Sequence, residues 1–132
     1  MPIQVEMVLR IILASVLGAI IGYQRERAGK AAGLRTQLLI CVGAALFTIA
    51  SIYGFVGAEP SRIAAGIVTG MGFLGAGAIL HRRSGAVEGL TTAASMWVTA
   101  ALGLAAGAGL YLIAVVTAAI VMIVLLLPHP IR

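Results

Sequence analysis

The stretch from Arg62 to Leu80 reads RIAAGIVTGMGFLGAGAIL and decides how the rest of the chain is interpreted. Gly70, Gly72 and Gly75 form a G-x-G-x-x-G pattern, which in a soluble α/β protein indicates a phosphate-binding turn between a strand and a helix. Here no separate strand precedes the glycines and no polar loop surrounds them. They lie within one apolar run of about twenty residues, the length that spans a bilayer. The stretch therefore predicts a membrane helix rather than a nucleotide site.

The glycines of this helix are predicted to fall on two faces. Gly66, Gly70 and Gly77 lie within about 40° of one another, and Gly72 and Gly75 lie on roughly the opposite side. Small residues let helices approach closely in lipid, where packing rather than release of water drives association. The pattern predicts that this helix lies between neighbours at the centre of a bundle.

Composition places the whole chain in the membrane. Of its 132 residues 61% are hydrophobic and only 10% are charged, and the mean hydropathy is +1.12. A soluble domain has about 25% charged residues, and an outer-membrane barrel has short alternating runs instead of long apolar ones. We therefore predict an all-α integral membrane protein. Cys41 is the only cysteine, so the sequence excludes a disulfide framework and a cysteine metal cluster.

Five apolar runs predict five transmembrane helices in a single domain, residues 1–132. The predicted helices cover residues 5–23, 37–55, 63–80, 90–107 and 110–127. The first is expected to remain in the mature protein, because residues 1–5 lack Lys and Arg and no small-residue cleavage site follows. The short turn from Ala106 to Gly109 predicts that the last two helices form an antiparallel hairpin.

Basic residues concentrate on one side of the predicted bundle. The loops at residues 24–36 and 81–89, together with Arg132, carry seven basic and two acidic residues. The opposite side carries two of each. The positive-inside rule then predicts an outer N-terminus and a cytoplasmic C-terminus. This topology accounts for the basic pI of about 10.4, so nucleic acid is not a predicted partner.

Residues 56 positions apart repeat along the chain, which predicts an internal duplication. The matching pairs include Arg27 with Arg83, Gly33-Leu34 with Gly89-Leu90, Thr36 with Thr92, and Ala44-Ala45-Leu46 with Ala100-Ala101-Leu102. Helices one and two would form one hairpin and helices three and four its copy. Because both connecting loops are predicted to be cytoplasmic, the two hairpins are related by an axis near the membrane normal. Helices one and three are expected to meet across that axis.

Four charged residues are predicted to meet at the outer end. Glu6 and Arg10 are four residues apart on helix one, in the order that favours an ion pair. Arg62 opens the third helix, where a cation opposes the helix dipole and needs an acid such as Glu59. We predict a cluster of Glu6, Arg10, Glu59 and Arg62. Glu6 and Arg10 alone have two interpretations, an interfacial anchor or a functional pair facing a cavity.

Two helices carry polar stripes within the membrane. On helix two the stripe is Gln37, Cys41, Ala44, Thr48 and Ser51, and on helix four it is Thr92, Ser95, Thr99 and Gly103. Hydroxyl groups in membrane helices usually bond a neighbouring helix or their own backbone. The alternative is a path for a polar solute between the two stripes. Trp97 is predicted to point away, toward lipid or another subunit.

No catalytic, cofactor or metal site is predicted. His81 and His129 lie near the predicted cytoplasmic surface without a nearby Cys or Asp, and the chain contains no Asp. No acid lies deep in a span, which disfavours a proton relay or a dedicated cation site. We therefore predict that the protein is not an enzyme.

Several strings resemble the MgtC/SapB family of bacterial membrane proteins. They are GYQRE at 22–26, AGLRT at 32–36, GAALF at 43–47, the glycine-rich stretch at 62–80 and GLTTAASMWVTAALGLAAG at 89–107. The resemblance implies an inner-membrane protein, tied in some members to growth at low magnesium and survival inside macrophages. Some members are said to act on the F-type ATP synthase. Many carry a cytoplasmic C-terminal domain, and the resemblance here covers the transmembrane part only.

The resemblance also implies which residues matter. Gln24 departs from the family, which often has an acid in a G-x-E-R-E string, so a role that rests on that acid is in doubt. The positions that match the family pattern are Arg25, Glu26, Gly33, Arg35, Thr36, Arg62, Gly75, Gly77, Thr91 and Thr92. The candidate functional residues are Arg10, Gln24, Arg25, Glu26, Arg35, Thr36, Arg62, Thr91, Thr92 and Ser95. The candidate helix-packing residues are Gly18, Gly22, Gly66, Gly70, Gly72, Gly75 and Gly77.

Two hypotheses of function follow. In the first, a multi-pass protein of the inner membrane acts through helix contacts with itself, as a dimer, or with a membrane partner such as the ATP synthase. Its cytoplasmic loops, with Arg25, Glu26 and Arg35, would be the contact or control surface. In the second, the chain is a small transporter or channel for an ion or solute along the polar stripes. Flux across a liposome membrane separates them.

Overall fold

The computed structural model describes residues 2–57, 59–81 and 87–127. Five helices are present, as predicted: α1 (Ile3–Arg27), α2 (Leu34–Tyr53), α3 (Pro60–Ala78), α4 (Leu90–Gly107) and α5 (Tyr111–Leu125). The first helix runs one turn beyond its predicted end at residue 23, because its last turn carries Arg25 and Arg27, and cations there favour the helix dipole.

Three of the described helices, α1, α2 and α4, are both long and apolar enough to cross a membrane. The fourth, α5, is a shorter apolar helix of 15 residues. The glycine-rich α3 has 19 residues and is not among the described helices that are both long and apolar enough to cross a membrane. The chain is an all-α integral membrane protein, as its composition indicates.

A small hairpin follows α3. Strands β1 (Leu80–His81) and β2 (Val87–Glu88) pair antiparallel, with Leu80 opposite Glu88. The sequence predicted only a loop here. Arg82, Arg83, His129 and Arg132 are outside the described residues, so the part of the charge pattern that rests on them stays a prediction.

The helix starts follow the 56-residue repeat. Gly33 is the N-cap of α2 and Gly89 is the N-cap of α4, and the two glycines are matching positions of the repeat. The end of α1 and the start of α4 meet through Arg25 and Thr92, which puts the loops of both hairpins at the same end of the bundle. The α1–α2 and α3–α4 hairpins are therefore parallel copies.

The centre of the bundle is α4, and the prediction that α3 occupies it is wrong. Nine of the 18 residues of α4 are buried, whereas α3 buries only Met71 and Gly75. One core cluster joins α1, α2, α4 and α5 around Ile21, Cys41 and Leu102. A smaller one joins α3 to α2 and α4 through Met71.

The close helix approaches are made by glycines outside α3. A Cβ on Gly18 would lie 2.8 Å from the Cβ of Cys41, and one on Gly22 would lie 2.7 Å from the Cα of Leu34, so α1 packs tightly on α2. A Cβ on Gly107 would lie 2.6 Å from the carbonyl oxygen of Ala45, and Gly103 is tighter still against Cys41. These glycines bring α4 against α2.

The repeat axis is accordingly occupied by α2 and α4. The expectation that α1 and α3 meet across it is wrong, since those two helices are not a packed pair. The reason is that α1 uses Gly18 and Gly22 against its own hairpin partner. On α3 only Gly75 has a neighbour near its Cβ position, Ala93 at 3.6 Å. The other α3 glycines, Gly66, Gly70, Gly72 and Gly77, have no heavy atom within 4 Å of that position among the described residues.

Candidate functional site

The two polar stripes face each other along the α2–α4 contact. Both stripes are buried over their whole length: Gln37, Cys41, Ala44, Thr48 and Ser51 on α2, and Thr92, Ser95, Thr99 and Gly103 on α4. We name this contact the polar seam. Trp97 lies on the other side of α4 and is 55% exposed.

Hydrogen bonds hold the seam at its α4 N-terminal end. Gln37 Nε2 donates to Ser95 Oγ at 3.0 Å and to the carbonyl oxygen of Ala32 at 3.2 Å. Ser95 Oγ in turn donates to the carbonyl oxygen of Thr92 at 2.7 Å. Further along, the Thr48 hydroxyl donates to its own helix at Ala44. The seam therefore combines bonds between helices with bonds within them.

The seam is closed in this structure. Gly103 and Gly107 place α4 backbone directly on α2 backbone, and Gln37, Cys41 and Thr99 are each 0% exposed. Two buried oxygen atoms, Gln37 Oε1 and Thr99 Oγ1, have no hydrogen-bond partner among the described residues, and such groups cost about 1–3 kcal/mol each. The stripes thus form a packed interface rather than the lining of an open path.

An arginine closes the seam at the predicted cytoplasmic end. Arg25 is 4% exposed, and its Nη2 donates to Thr92 Oγ1 at 2.5 Å. The bond ties the end of α1 to the start of α4. Burying a charge in a membrane protein is expensive and usually marks function. Arg25, Gln37, Thr92 and Ser95 therefore form one connected polar group from three helices.

Glu26 anchors the neighbouring turn. Its Oε1 accepts the backbone N–H of Leu34 at 3.1 Å, which caps α2 at the positive end of the helix dipole. Gly33 makes room for this, since a Cβ there would lie 2.7 Å from Glu26 Oε1. Arg35, Thr36 and Thr91 are exposed beside this cap.

Gln24 joins α1 to α5. Its Nε2 donates to the carbonyl oxygen of Leu125 at 3.4 Å, and its Oε1 is buried without a partner. The residue that departs from the family string thus bonds to the end of α5.

Arg10 forms a separate junction at the opposite end. It pairs with Glu6, as predicted, and is 6% exposed. Its Nη1 donates to the carbonyl oxygen of Gly107 at 3.0 Å, and its guanidinium lies 5.3 Å from the ring centre of Tyr53. The pair therefore ties α1 to the end of α4, which agrees with the interpretation of Glu6 and Arg10 as an anchor.

The predicted four-residue outer cluster is wrong. Glu59 caps α3 instead, where its Oε1 accepts from the N–H and hydroxyl of Ser61. Arg62 is exposed, and neither Glu59 nor Arg62 reaches the Arg10 pair. The free N–H groups at the start of α3 compete for the carboxylate, and proximity in sequence decides the outcome.

Tyr53 and Gly107 are partners that the sequence did not reveal. Gly107 contributes a backbone carbonyl near the end of α4, 97 residues from Arg10. The only indication in the sequence was the turn from Ala106 to Gly109. Carbonyl groups at the end of a helix lack partners within the helix and are therefore available to bind cations.

The absence of a metal site stays a prediction. Across residues 2–57, 59–81 and 87–127 no group of three His, Cys, Asp or Glu side chains is placed to hold a metal ion.

Comparison with known proteins gives a consistent family. The MgtC family model matches residues 11–132. The chain is 48% identical over 132 residues to the Escherichia coli protein named "Putative magnesium transporter YhiD", a match that covers 94% of this chain and 61% of that protein. It is 40% identical over 114 residues to "Protein SapB" of Bacillus subtilis, covering 80% of this chain and 49% of that protein.

The third relative is "Protein MgtC" of Brucella abortus, 47% identical over 97 residues, with 74% of this chain and 40% of that protein covered. No solved structure matches the chain. The chain spans 61% of the E. coli relative's length and less of the other two. Since the family match takes in the polar seam, the Glu26 cap and the glycine helix, the chain belongs to the MgtC family of membrane proteins.

Proposed function

We propose that this chain is a non-enzymatic protein of the bacterial inner membrane that acts through helix contacts with other membrane proteins, and that its contact helix is α3. The observation that carries the proposal is the outward face of α3. Four small residues lie there within about 60° of one another. All four are exposed: Ala65, Thr69, Gly72 and Ala76. We name this face the outer ridge.

The outer ridge has the chemistry of a membrane helix interface. Small residues four apart let two backbones approach closely in lipid. The hydroxyl of Thr69 is satisfied within its own helix, because it donates to the carbonyl oxygen of Ala65 at 3.1 Å. Gly72 has no heavy atom near its Cβ position within the described fold. A glycine in a helix lowers the stability of the helix by about 1 kcal/mol relative to alanine. A close contact with another chain at Gly72 would offset that loss.

The partner proposed first is a second copy of the chain. A two-fold dimer would bring the same ridge from each copy together. The ATP synthase implied by the family resemblance is the alternative partner, and Arg35, Thr36 and Thr91, which are exposed at the starts of α2 and α4, would add a cytoplasmic contact. The proposed role is adaptation to low magnesium or survival inside a host cell, which the resemblance implies.

Transport is the competing function, and the name of the E. coli relative favours it. A path along the stripes would have to open the seam, where glycines already hold α2 and α4 in backbone contact. For this reason we favour a function that depends on helix contacts with other membrane proteins over transport. Reconstituted protein in liposomes is expected to give no saturable Mg²⁺ flux above empty vesicles, and a saturable flux would defeat the proposal.

Dimerisation is tested in lipid vesicles by energy transfer between labelled chains. Gly72→Leu combined with Ala76→Leu is expected to weaken association by about tenfold, because bulky side chains on the ridge keep the helices apart. Ala119→Leu, at an exposed position of α5, is the matched control and is expected to associate normally. Equal association of all three proteins would rule out the outer ridge as the interface.

A further inference from the structure

A second face of α3 borders an apolar groove that the helix contacts do not fill. The groove lies between α2 and α3 and has a volume of about 530 Å³. Its walls are mainly aliphatic and aromatic, with Ile40, Phe47, Ile67 and Leu74 among them. It is distinct from the outer ridge, which lies on the opposite side of α3.

Three glycines hollow out this groove from both walls. Gly43 contributes from α2, and Gly66 and Gly70 contribute from α3. A Cβ on any of the three would meet no heavy atom within 4 Å. Elsewhere on α2, glycines of α1 and α4 bring the backbones together, so here the same residue type keeps space open. An apolar groove of this size that faces a bilayer is expected to be filled by apolar groups.

A positive charge stands at one end of the groove. Arg62 is among the lining residues and is exposed. Its nearest acid in sequence, Glu59, is engaged as the α3 cap. Arg62 also lies in the first turn of α3, where the helix dipole adds positive potential. Guanidinium and helix N-terminus together favour an anion, and a phosphate group accepts bidentate bonds from arginine.

The length of the groove fits one leaflet. From Arg62 to Leu74 the helix rises about 18 Å at 1.5 Å per residue. Half of the hydrocarbon core of a bilayer is about 15 Å. A lipid whose phosphate contacts Arg62 would therefore lay its acyl chain along the groove as far as Leu74.

A second copy of this chain is a poorer occupant. The chain has four acidic residues, Glu6, Glu26, Glu59 and Glu88. At the Arg62 end, Glu6 is paired with Arg10 and Glu59 caps α3. Glu26 lies at the other end, where it caps α2, and Glu88 is in strand β2 of the hairpin at that same end. A copy seated in the groove would offer no spare carboxylate to Arg62.

We infer that the α2–α3 groove binds an anionic phospholipid of the leaflet at the Arg62 end, which is the outer leaflet in the predicted orientation. The phosphate is held by the Arg62 side chain, and one acyl chain lies against Gly43, Gly66 and Gly70. The site recognises the lipid by its negative charge and by a straight apolar chain.

The test is native mass spectrometry of the purified chain with added phosphatidylglycerol and, separately, phosphatidylcholine. The unaltered protein is expected to retain phosphatidylglycerol more strongly. Arg62→Gln is expected to weaken that retention about fivefold and to weaken retention of phosphatidylcholine less, because the choline cation of that lipid already offsets the charge of its phosphate. Lys30→Gln, which removes one charge from an exposed loop position at the opposite end, is the matched control.

A second variant tests the acyl-chain part. Gly43→Leu fills the groove from α2 and is expected to reduce retention of both lipids, while the fold is checked by its helical content. Undiminished phosphatidylglycerol binding in Arg62→Gln would overturn the inference. So would a Gly43→Leu protein that loses self-association but keeps its lipid, because the groove would then hold a second copy. The outer ridge is untouched by either variant, so unaltered lipid binding in Arg62→Gln leaves the proposed dimer interface standing, whereas loss of self-association in Gly43→Leu would overturn both proposals.

Discussion

Glu26 at the end of α1 and Gly33 at the start of α2 together form one helix cap. The carboxylate reaches across the loop from the end of α1 to cap α2, and the missing side chain of Gly33 leaves it the space. The cap fixes where α2 begins, and α2 carries half of the polar seam. A change at the exposed loop is therefore transmitted to the buried contact between α2 and α4.

Changes to this pair are expected to be non-additive. Glu26→Ala removes the cap and should lower the free energy of unfolding by about 1 kcal/mol. Gly33→Ala should lower it by a similar amount, because the new methyl group displaces the carboxylate. The double variant should then be no less stable than Glu26→Ala alone. Unfolding in mixed detergent micelles measures all three, and simple addition of the two effects would show that Gly33 does not act through Glu26.

The helices α2 and α4 depend on glycine in a way that α3 does not. A Cβ on Gly103 would overlap the carbonyl oxygen of Cys41 and lie 2.9 Å from the Cβ of Ala44. Backbone cannot move aside as a flexible side chain can, so the two helices would have to separate. Gly77 of α3 meets no neighbour within the described structure.

Gly103→Ala is therefore expected to destabilise the bundle by several kcal/mol, within the range of an overpacked core. Gly77→Ala is expected to be neutral or to stabilise by up to about 1 kcal/mol, because alanine is the better helix former. Helical content and thermal unfolding in detergent measure both. Equal destabilisation by the two substitutions would mean that α3 is packed as closely as α4.

The number and approximate positions of the helices could be read from the sequence, because apolar runs and bilayer thickness set them. The polar stripes could also be read, since 3.6-residue periodicity places Gln37, Thr48, Thr92 and Thr99 on defined faces. Glycine content could not say which helix is central. Gly70 and Gly103 look alike in sequence, and only their neighbours in space separate a close approach from an open groove.

The long-range partners were beyond the sequence for a related reason. Glu59 was expected to bind a cation across the bundle, and it binds its own helix start two residues away. Local N–H groups need no search through conformations, whereas Arg10 and Gly107 meet only when the whole fold is formed.

The predicted orientation, with the basic loops on the cytoplasmic side, is tested by cysteine labelling. In a Cys41→Ala background, Lys30→Cys in the α1–α2 loop should be labelled by a membrane-impermeant maleimide only after the membrane is opened. Phe55→Cys, exposed in the α2–α3 loop, should be labelled in intact cells whose outer membrane is permeable to the reagent. The reverse pattern would show that the basic loops face outward.

The Arg10 junction has a consequence for how the chain is made. Arg10 enters the membrane with the first helix, but its backbone partner Gly107 is synthesised 97 residues later, after roughly 5–20 s of translation. During that interval the guanidinium is without its final acceptor. Glu6, one helical turn away, is in place as soon as α1 forms. It can therefore pair with the charge of Arg10 until the α4–α5 hairpin is inserted. The carboxylate thus contributes to membrane insertion before it contributes to the finished fold.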